Sequence, residues 1–317
     1  MGIPKLNTLL IERCSQKAIF KTHLETFYNK KIAVDISIYL YRFLSDGNFM
    51  EHMYLFLSLF KYYCIEPIFV FDGKPPAEKY ATIKKRKLEK QAANKEYIEL
   101  ETILETNPEN KYEIEKRMEI LKNKMIRVTW KDIDKAIELI ESFGFIYYLA
   151  PHEADELCVY LSLKNIVYGV MSDDMDMIVS GCPCVIRNVN MSLHEAVVYD
   201  TPQILNDLQM SLQHFREIII LSGTDYDYSY EKRISIRKAF DLYQQFSQYD
   251  TSNSFYNWLS SLMEIDINID ELMSIYKLFD INMDELTTFI ESYSVEKKKI
   301  SVSAIKTIMK EYRFIFL

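Results

Sequence analysis

Acidic residues recur at the ends of apolar runs in this chain. Asp35 comes late in "KIAVDIS" (31–37), and Asp72 closes "PIFVFDG" (67–73). "FIYYLAP" (145–151) runs into Glu153, Asp155 and Glu156, "IVYGVMS" (166–172) into Asp173, Asp174 and Asp176, and Asp225 follows "EIIILSGT". Carboxylates gathered in a partly buried site repel one another or take up protons unless cations neutralise them. Acids without His or Cys partners are hard oxygen donors, suited to magnesium or manganese rather than zinc or copper. Two such ions about 3.5–4 Å apart can hydrolyse a phosphodiester, one generating the attacking hydroxide and both stabilising the in-line displacement. Calcium binding, plain helix N-caps and, for "SDDMD", a solvated turn are the readings that the acids alone leave open.

The same runs say what must position the acids. With "CVIRNV" (184–189), the first four runs are suited to buried strands, "EIIILSGT" reads as helical or strand-like, and helical patterns lie between the strands. Strands alternating with helices imply an α/β fold with a mainly parallel central sheet and helices on both faces. Ligands of open parallel sheets bind beyond the carboxyl ends of the strands, where all these acids would meet. The clearest helix is "TWKDIDKAIELIESFG": Thr129 caps it, Asp132 completes a capping-box-like pair, Ile133, Ile137 and Ile140 share a face, and Gly144 ends it. From about residue 200 onward the signals are helical. "INIDEL" (267–272) and "INMDEL" (281–286) read as two helix starts, each with Asn as cap and acids in the first turn. Residues 79–125 have too few apolar positions to bury a full helical face, which predicts a projecting, partly mobile element.

Composition narrows the classes. The 317 residues are 49% hydrophobic and 14% aromatic, enough for a large packed core, and no run approaches a membrane span or a signal peptide. A soluble protein is expected, and, since "MGIPKL" has Leu6 where a myristoylation signal has Ser or Thr, an unlipidated one; the scattered cysteines point to an intracellular compartment. Five cysteines, an odd number, read as reduced thiols; the "CPC" of Cys182 and Cys184 supplies too few donors for zinc. Seven glycines without a G-x-G pair exclude a dinucleotide fingerprint or a P-loop. The net charge of −8 argues against a generic nucleic-acid binder, yet residues 79–95 hold seven Lys or Arg and one acid, Glu89.

Taken in order, "MGIPKL" (1–6), "VDISIYLYRFL" (34–44), "FVFDGKPPAEK" (69–79), "APHEADE" (150–156), "SDDMDMI" (172–178) and "LSGTDY" (221–226) resemble the flap endonuclease family of structure-specific 5′ nucleases, over about 225 residues. The Tyr-, Ile-, Asn- and Lys-rich, glycine-poor composition is similar to that of its poxvirus members, which would place the protein at replication sites in the host cytoplasm. The resemblance implies the PIN-like 5′ nuclease fold. It also implies a nuclease domain over 1–245, with a helical arch at 79–125 and a DNA-binding helical hairpin at about 215–245, and a helical extension over 246–317. The activity implied is hydrolysis of DNA near single-strand to duplex junctions such as 5′ flaps, with two Mg2+, or Mn2+ in their place, in replication, repair or recombination.

The metal-site carboxylates implied are Asp35, Asp72, Glu153, Asp155, Asp174, Asp176 and Asp225, with Asp155 standing where relatives commonly have Glu. Lys79 and Arg86 match residues that neutralise the scissile phosphate, Tyr41 an aromatic that stacks on a displaced base, and Gly2 a glycine that admits the DNA strand. Lys84, Lys85 and Lys87 are expected to steer the DNA backbone. Lys232, Arg233, Arg237 and Lys238 could grip a duplex, although the stretch 225–240 lacks the glycine of the family's hairpin, which puts a monovalent-ion site in doubt. The C-terminal "EYRFIFL" offers no convincing sliding-clamp peptide. Replication or recombination proteins are expected partners. The rival readings are a non-catalytic junction-binding factor in recombination and a small-substrate or RNA nuclease of a related fold.

Overall fold

The computed structural model describes residues 3, 5–76, 79–106, 110–226, 234–248, 254–262, 268–293 and 298–316. Among these, strands β1 (Ile19–His23), β2 (Lys31–Asp35), β3 (Glu66–Phe71), β4 (Ile146–Leu149), β5 (Gly169–Met171), β6 (Cys184–Asn190) and β7 (Glu195–Asp200) form one sheet in the order β1-β7-β6-β5-β2-β3-β4. From β6 through β5, β2 and β3 to β4 every pairing is parallel, whereas β7 runs antiparallel to both β6 and β1. The chain leaves β2 toward β3 on one side and later returns to place β5 on the other. That reversal makes the crevice beside β2 a switch point where open α/β sheets bind ligands.

Alternation along the strands sets the two layers. Val34 and Phe69 enter one core, while Ala33 and Val70 enter the other. The first core is covered by α2 (Ile36–Ser45) and α3 (Phe49–Tyr62), and it is rich in aromatic contacts, with Tyr39 stacked on Phe56 at 4.6 Å. The second contains residues of α1 (Leu6–Arg13). Two long helices, α4 (Tyr80–Thr106) and α5 (Lys111–Met125), follow β3. Their surfaces are mostly exposed; Ala93 and Leu121 are their fully buried side chains, and Arg117 bridges them with a forked pair to Glu96 at 2.6 and 2.9 Å.

Helix α6 (Trp130–Ser142) opens with the expected capping box, the Thr129 side chain accepting from the Asp132 N–H and the Asp132 carboxylate accepting from the Thr129 N–H. Gly144 follows its end at φ +71°, a left-handed turn in which an added Cβ would lie 2.5 Å from the Lys298 carbonyl oxygen. Next come α7 (Ala154–Leu163), α8 (Asp176–Val179), α9 (Thr201–Asp207), α10 (Leu212–Ser222), α11 (Ile236–Phe246), α12 (Phe255–Ser261), α13 (Ile269–Lys277), α14 (Met283–Ser292) and α15 (Val302–Glu311). Asn268 and Asn282 cap α13 and α14 as expected. Helix α15 joins the first core and α7 to α14 the second. No described helix is long and apolar enough to cross a membrane.

Two features depart from the expected elements: β1 and β7 add an antiparallel wing, and β5 is shorter than its apolar run. The run "EIIILS", open between helix and strand, is the end of helix α10. All five cysteines are free thiols, Cys182 buried behind β6.

Candidate active site

Asp35 ends β2, Asp72 follows β3, Glu153 and Asp155 begin α7 after β4, and Asp174 and Asp176 follow β5. Together with Asp225 these acids line one cavity of about 980 Å3, whose outer wall is α4 and α5. Lys79, Arg86 and Tyr41 line it too, so nine of the residues expected to do chemistry, and the aromatic expected to stack, share one chamber.

Local hydrogen bonds explain how each acid is held. Asp35 caps α2, accepting from the Ser37 N–H at 3.2 Å, and its other oxygen accepts from the Ser172 hydroxyl at 2.9 Å. The Ser37 hydroxyl donates to Asp72 at 2.5 Å, and the Ala154 N–H donates to the other Asp72 oxygen at 2.9 Å. Asp72 therefore supplies the first turn of α7 with an acceptor, and Glu153, at the N-cap position, makes no side-chain cap. Its carboxylate is left for Lys79 Nζ at 2.6 Å, with the Tyr226 hydroxyl at 3.4 Å. Asp174 accepts from the Asp176 N–H at 3.1 Å. Asp225 is paired with Arg86 at 2.6 Å, and its carbonyl accepts from Thr82 of α4 at 2.8 Å.

Gly73 closes the frame. Its N–H donates to the His152 carbonyl at 2.6 Å, and a Cβ there would lie 1.9 Å from the Ala150 carbonyl oxygen. Only glycine lets the turn after Asp72 approach the loop that leads to Glu153 so closely.

The electrostatics are those of crowded acid. Burial, reinforced by Asp72, Asp155 and Asp174, holds Asp35 well above the usual carboxylate range even against its Ser172 hydrogen bond. Asp155 is pushed up to about 7 by burial and neighbouring acids, with Lys79 opposing. Asp176 is raised in the same way by burial, Asp174 and Asp155. Burial lowers Lys79, but Asp155, Tyr226 and Glu153 outweigh it and keep the ammonium above the ordinary lysine range.

Asp176 Oδ1 is buried and has no hydrogen-bond partner. An orphaned carboxylate oxygen among other acids, with His and Cys absent from the lining, suits a hard divalent cation. The acids do not yet form a coordination shell. Among the described residues no three His, Cys, Asp or Glu side chains stand close enough to hold an ion. Lys79 and Arg86 instead occupy Glu153 and Asp225.

The remaining expected contacts fall elsewhere. Lys84, Lys85 and Lys87 are exposed on α4 and do not line the cavity. Arg237 is tied to Glu12 through both carboxylate oxygens at 2.7 and 2.6 Å, and Lys238 is exposed on α11, so neither reaches the chamber. Gly2, Lys232 and Arg233 lie outside the described residues. Ser37, Ser172, Tyr226 and Lys90 escaped the sequence reading. Ser37 could have been found two residues after a capping Asp, and Tyr226 stands next to Asp225 in a motif already quoted. Lys90 Nζ lies 5.3 Å from the Tyr41 ring centre and donates to the Ile126 carbonyl at 2.8 Å, a pairing across the chamber that has no local signal.

Residues 1–93 match the XPG N-terminal domain and residues 144–225 the XPG I-region. Flap endonuclease 1 of Encephalitozoon cuniculi is 32% identical over 260 residues, covering 76% of this chain and 72% of the relative. For Flap endonuclease 1 of Komagataella phaffii the figures are 31% over 247 residues, 71% and 63%, so the match spans less than two thirds of that relative's length. Among solved structures, the catalytic core of Rad2 in complex with DNA substrate superposes with a TM-score of 0.67 at 22% identity, covering 98% of this chain and 94% of the other. The Holliday junction-resolving enzyme GEN1 in complex with product DNA and Mg2+ gives 0.59 at 17%, covering 92% and 70%. The two structures establish the shared 5′ nuclease fold; the matched domains and the curated relatives establish that the chain belongs to the flap endonuclease family of structure-specific nucleases.

Proposed function

We propose that the protein is a metal-dependent nuclease that hydrolyses DNA next to single-strand to duplex junctions, 5′ flaps foremost, leaving 5′-phosphate and 3′-hydroxyl ends. The observation that carries this reading is the single chamber lined by seven carboxylates and by Lys79 and Arg86. Asp35, Asp72, Glu153, Asp155, Asp174, Asp176 and Asp225 would hold two magnesium ions, with manganese as a substitute; when bound, these supply activation of water and neutralisation of charge at the phosphodiester.

The chain's own residues do the rest. Lys79 and Arg86 transfer their charge from Glu153 and Asp225 to the scissile phosphate, where a positioned cation stabilises the extra negative charge of the transition state. Tyr41, 42% exposed on the chamber wall, offers a stacking face for an unpaired base, a contact indifferent to sequence. Helices α4 and α5 act as an arch over a single-stranded 5′ end, and the exposed Lys84, Lys85 and Lys87 steer the backbone toward it. Lys238, Arg237 released from Glu12, and Lys232 and Arg233 beyond the described residues would meet the duplex. Replication, repair or recombination is the proposed setting, with proteins of those processes as partners. A composition similar to that of poxvirus members supports the proposal that it works at viral replication sites in the host cytoplasm.

A labelled 5′-flap duplex tests the reading. Product near the junction is expected with Mg2+ and none with EDTA, and Asp176→Asn is expected to abolish most cleavage while retaining junction affinity. Tight junction binding without product in Mg2+ or Mn2+ would replace the nuclease by a binding factor. Cleavage confined to single-stranded RNA would overturn the substrate assignment.

A further inference from the structure

Asp173 stands beside the acid pair Asp174 and Asp176 but does not line the chamber. Each of its acceptors is taken from another direction. Arg42 Nη2 holds Oδ2, the Asn188 N–H donates to Oδ1 at 2.7 Å, and Arg187 Nη2 donates to the Asp173 carbonyl at 2.7 Å. Arg42 lies in the last turn of α2, the helix that Asp35 caps. Arg187 belongs to β6, is 8% exposed, lies 5.1 Å from the Tyr199 ring centre and also donates to Met175 Sδ, between the two acids. The loop after β5 is thus gripped at Asp173 and at Met175 by two guanidiniums anchored in separate elements.

We infer that Asp173 is a positioning residue for the proposed reaction: the Arg42–Asp173–Arg187 clamp fixes Asp174 and Asp176 against Asp35. The inference rests on the reading of those acids as the groups that hold the metal ions. Arg42 balances the partly buried Asp173 carboxylate while Arg187 holds the backbone carbonyl of the same residue, so removing the side-chain charge leaves Arg42 undercompensated and loosens the loop. A shift of about 1 Å in a reacting constellation can cost about a hundredfold in rate. Asp173 is accordingly neither an eighth metal ligand, since its oxygens are spoken for, nor a solvated surface acid.

The test uses the full chain as wild type, Asp173→Asn, Asp173→Glu, Arg42→Met and Arg42→Lys. Five quantities are measured: kcat and KM on a 5′-flap duplex, flap affinity in EDTA, Mn2+ affinity by calorimetry, and the urea midpoint. Asp173→Asn and Arg42→Met are expected to lower kcat and weaken Mn2+ binding by about 10–100-fold, the usual cost of losing a group that orients ligands. Flap affinity in EDTA should hold, and Asp173→Glu and Arg42→Lys should recover much of the loss. Wild-type kcat and Mn2+ affinity in Asp173→Asn would overturn the clamp alone. So would losses that track flap affinity and the urea midpoint without rescue, since that is general destabilisation. A wild-type chain that neither takes up Mn2+ nor cleaves would overturn the nuclease reading and this inference with it.

Discussion

Lys79 Nζ lies 2.6 Å from Glu153 Oε2, with the Tyr226 ring centre 4.9 Å from the same ammonium. A cation aimed by an acid and an aromatic face is already desolvated and oriented before a phosphate arrives. Replacing it with methionine keeps most of the unbranched stem and removes the ammonium with its charge and donors. Lys79→Met is expected to lower kcat on a flap by about 10²–10³-fold, the scale seen when one donor to a developing anion is lost. Single-turnover cleavage and equilibrium flap binding separate the two effects, and affinity should change little.

Gly73→Ala should disturb the site and the fold together. Its new Cβ would meet the backbone oxygen of Ala150 at 1.9 Å, and backbone has no rotamer through which to yield. The overpacking is expected to cost about 1–3 kcal/mol in urea unfolding. Cleavage should suffer more than stability, because the contact that must yield holds the turn after Asp72 against the loop that leads to Glu153. An alanine variant with wild-type midpoint and kcat would show that the two loops are not held in this close approach.

Glu217 gives a stability prediction remote from catalysis. It is 4% exposed on α10, one oxygen accepts from Gln213 at 3.1 Å, and the other has no partner. Burial raises its carboxyl affinity for a proton above the usual range, against the opposing influence of Gln213 and His214. The folded state therefore holds this proton more tightly than the unfolded state. Its contribution is fully present below the unfolded glutamate pKa and is lost as pH rises through the folded one. Glu217→Gln should be more stable than wild type by about 1–3 kcal/mol at neutral pH, the desolvation scale of an unsatisfied buried polar group. The gap should close as pH falls to the unfolded carboxylate value. Urea titrations of the metal-free chain across that range read both the sign and the window.

Thr129→Ala should be quiet in activity. It removes one half of the capping box of α6 and is expected to cost about 1 kcal/mol in unfolding free energy. Flap cleavage below the unfolding transition should match wild type, since α6 does not line the chamber.

Much of this architecture was legible because it is written locally. Parallel strands buried on both faces read as unbroken apolar runs, and acids at their carboxyl ends must share an edge of the sheet whichever order the strands take. The capping box at Thr129 and the asparagine caps of α13 and α14 were equally readable. What escaped is non-local or ambiguous. β1, "IFKTH", sits at the sheet edge with three of its five residues exposed, so its alternation is weak. The buried segment from Phe215 to Ser222 gives α10 an apolar run that periodicity cannot tell from a strand. Arg237 looked like a cation available to DNA, but its counter-ion, Glu12, is 225 positions away in the chain.

The chamber draws its acids from Asp35 through Asp225, and the last of them arrives only after α10. During translation, no N-terminal fragment that ends before Asp225 carries the whole acidic lining of the chamber, and all seven described strands are synthesised before that residue is added.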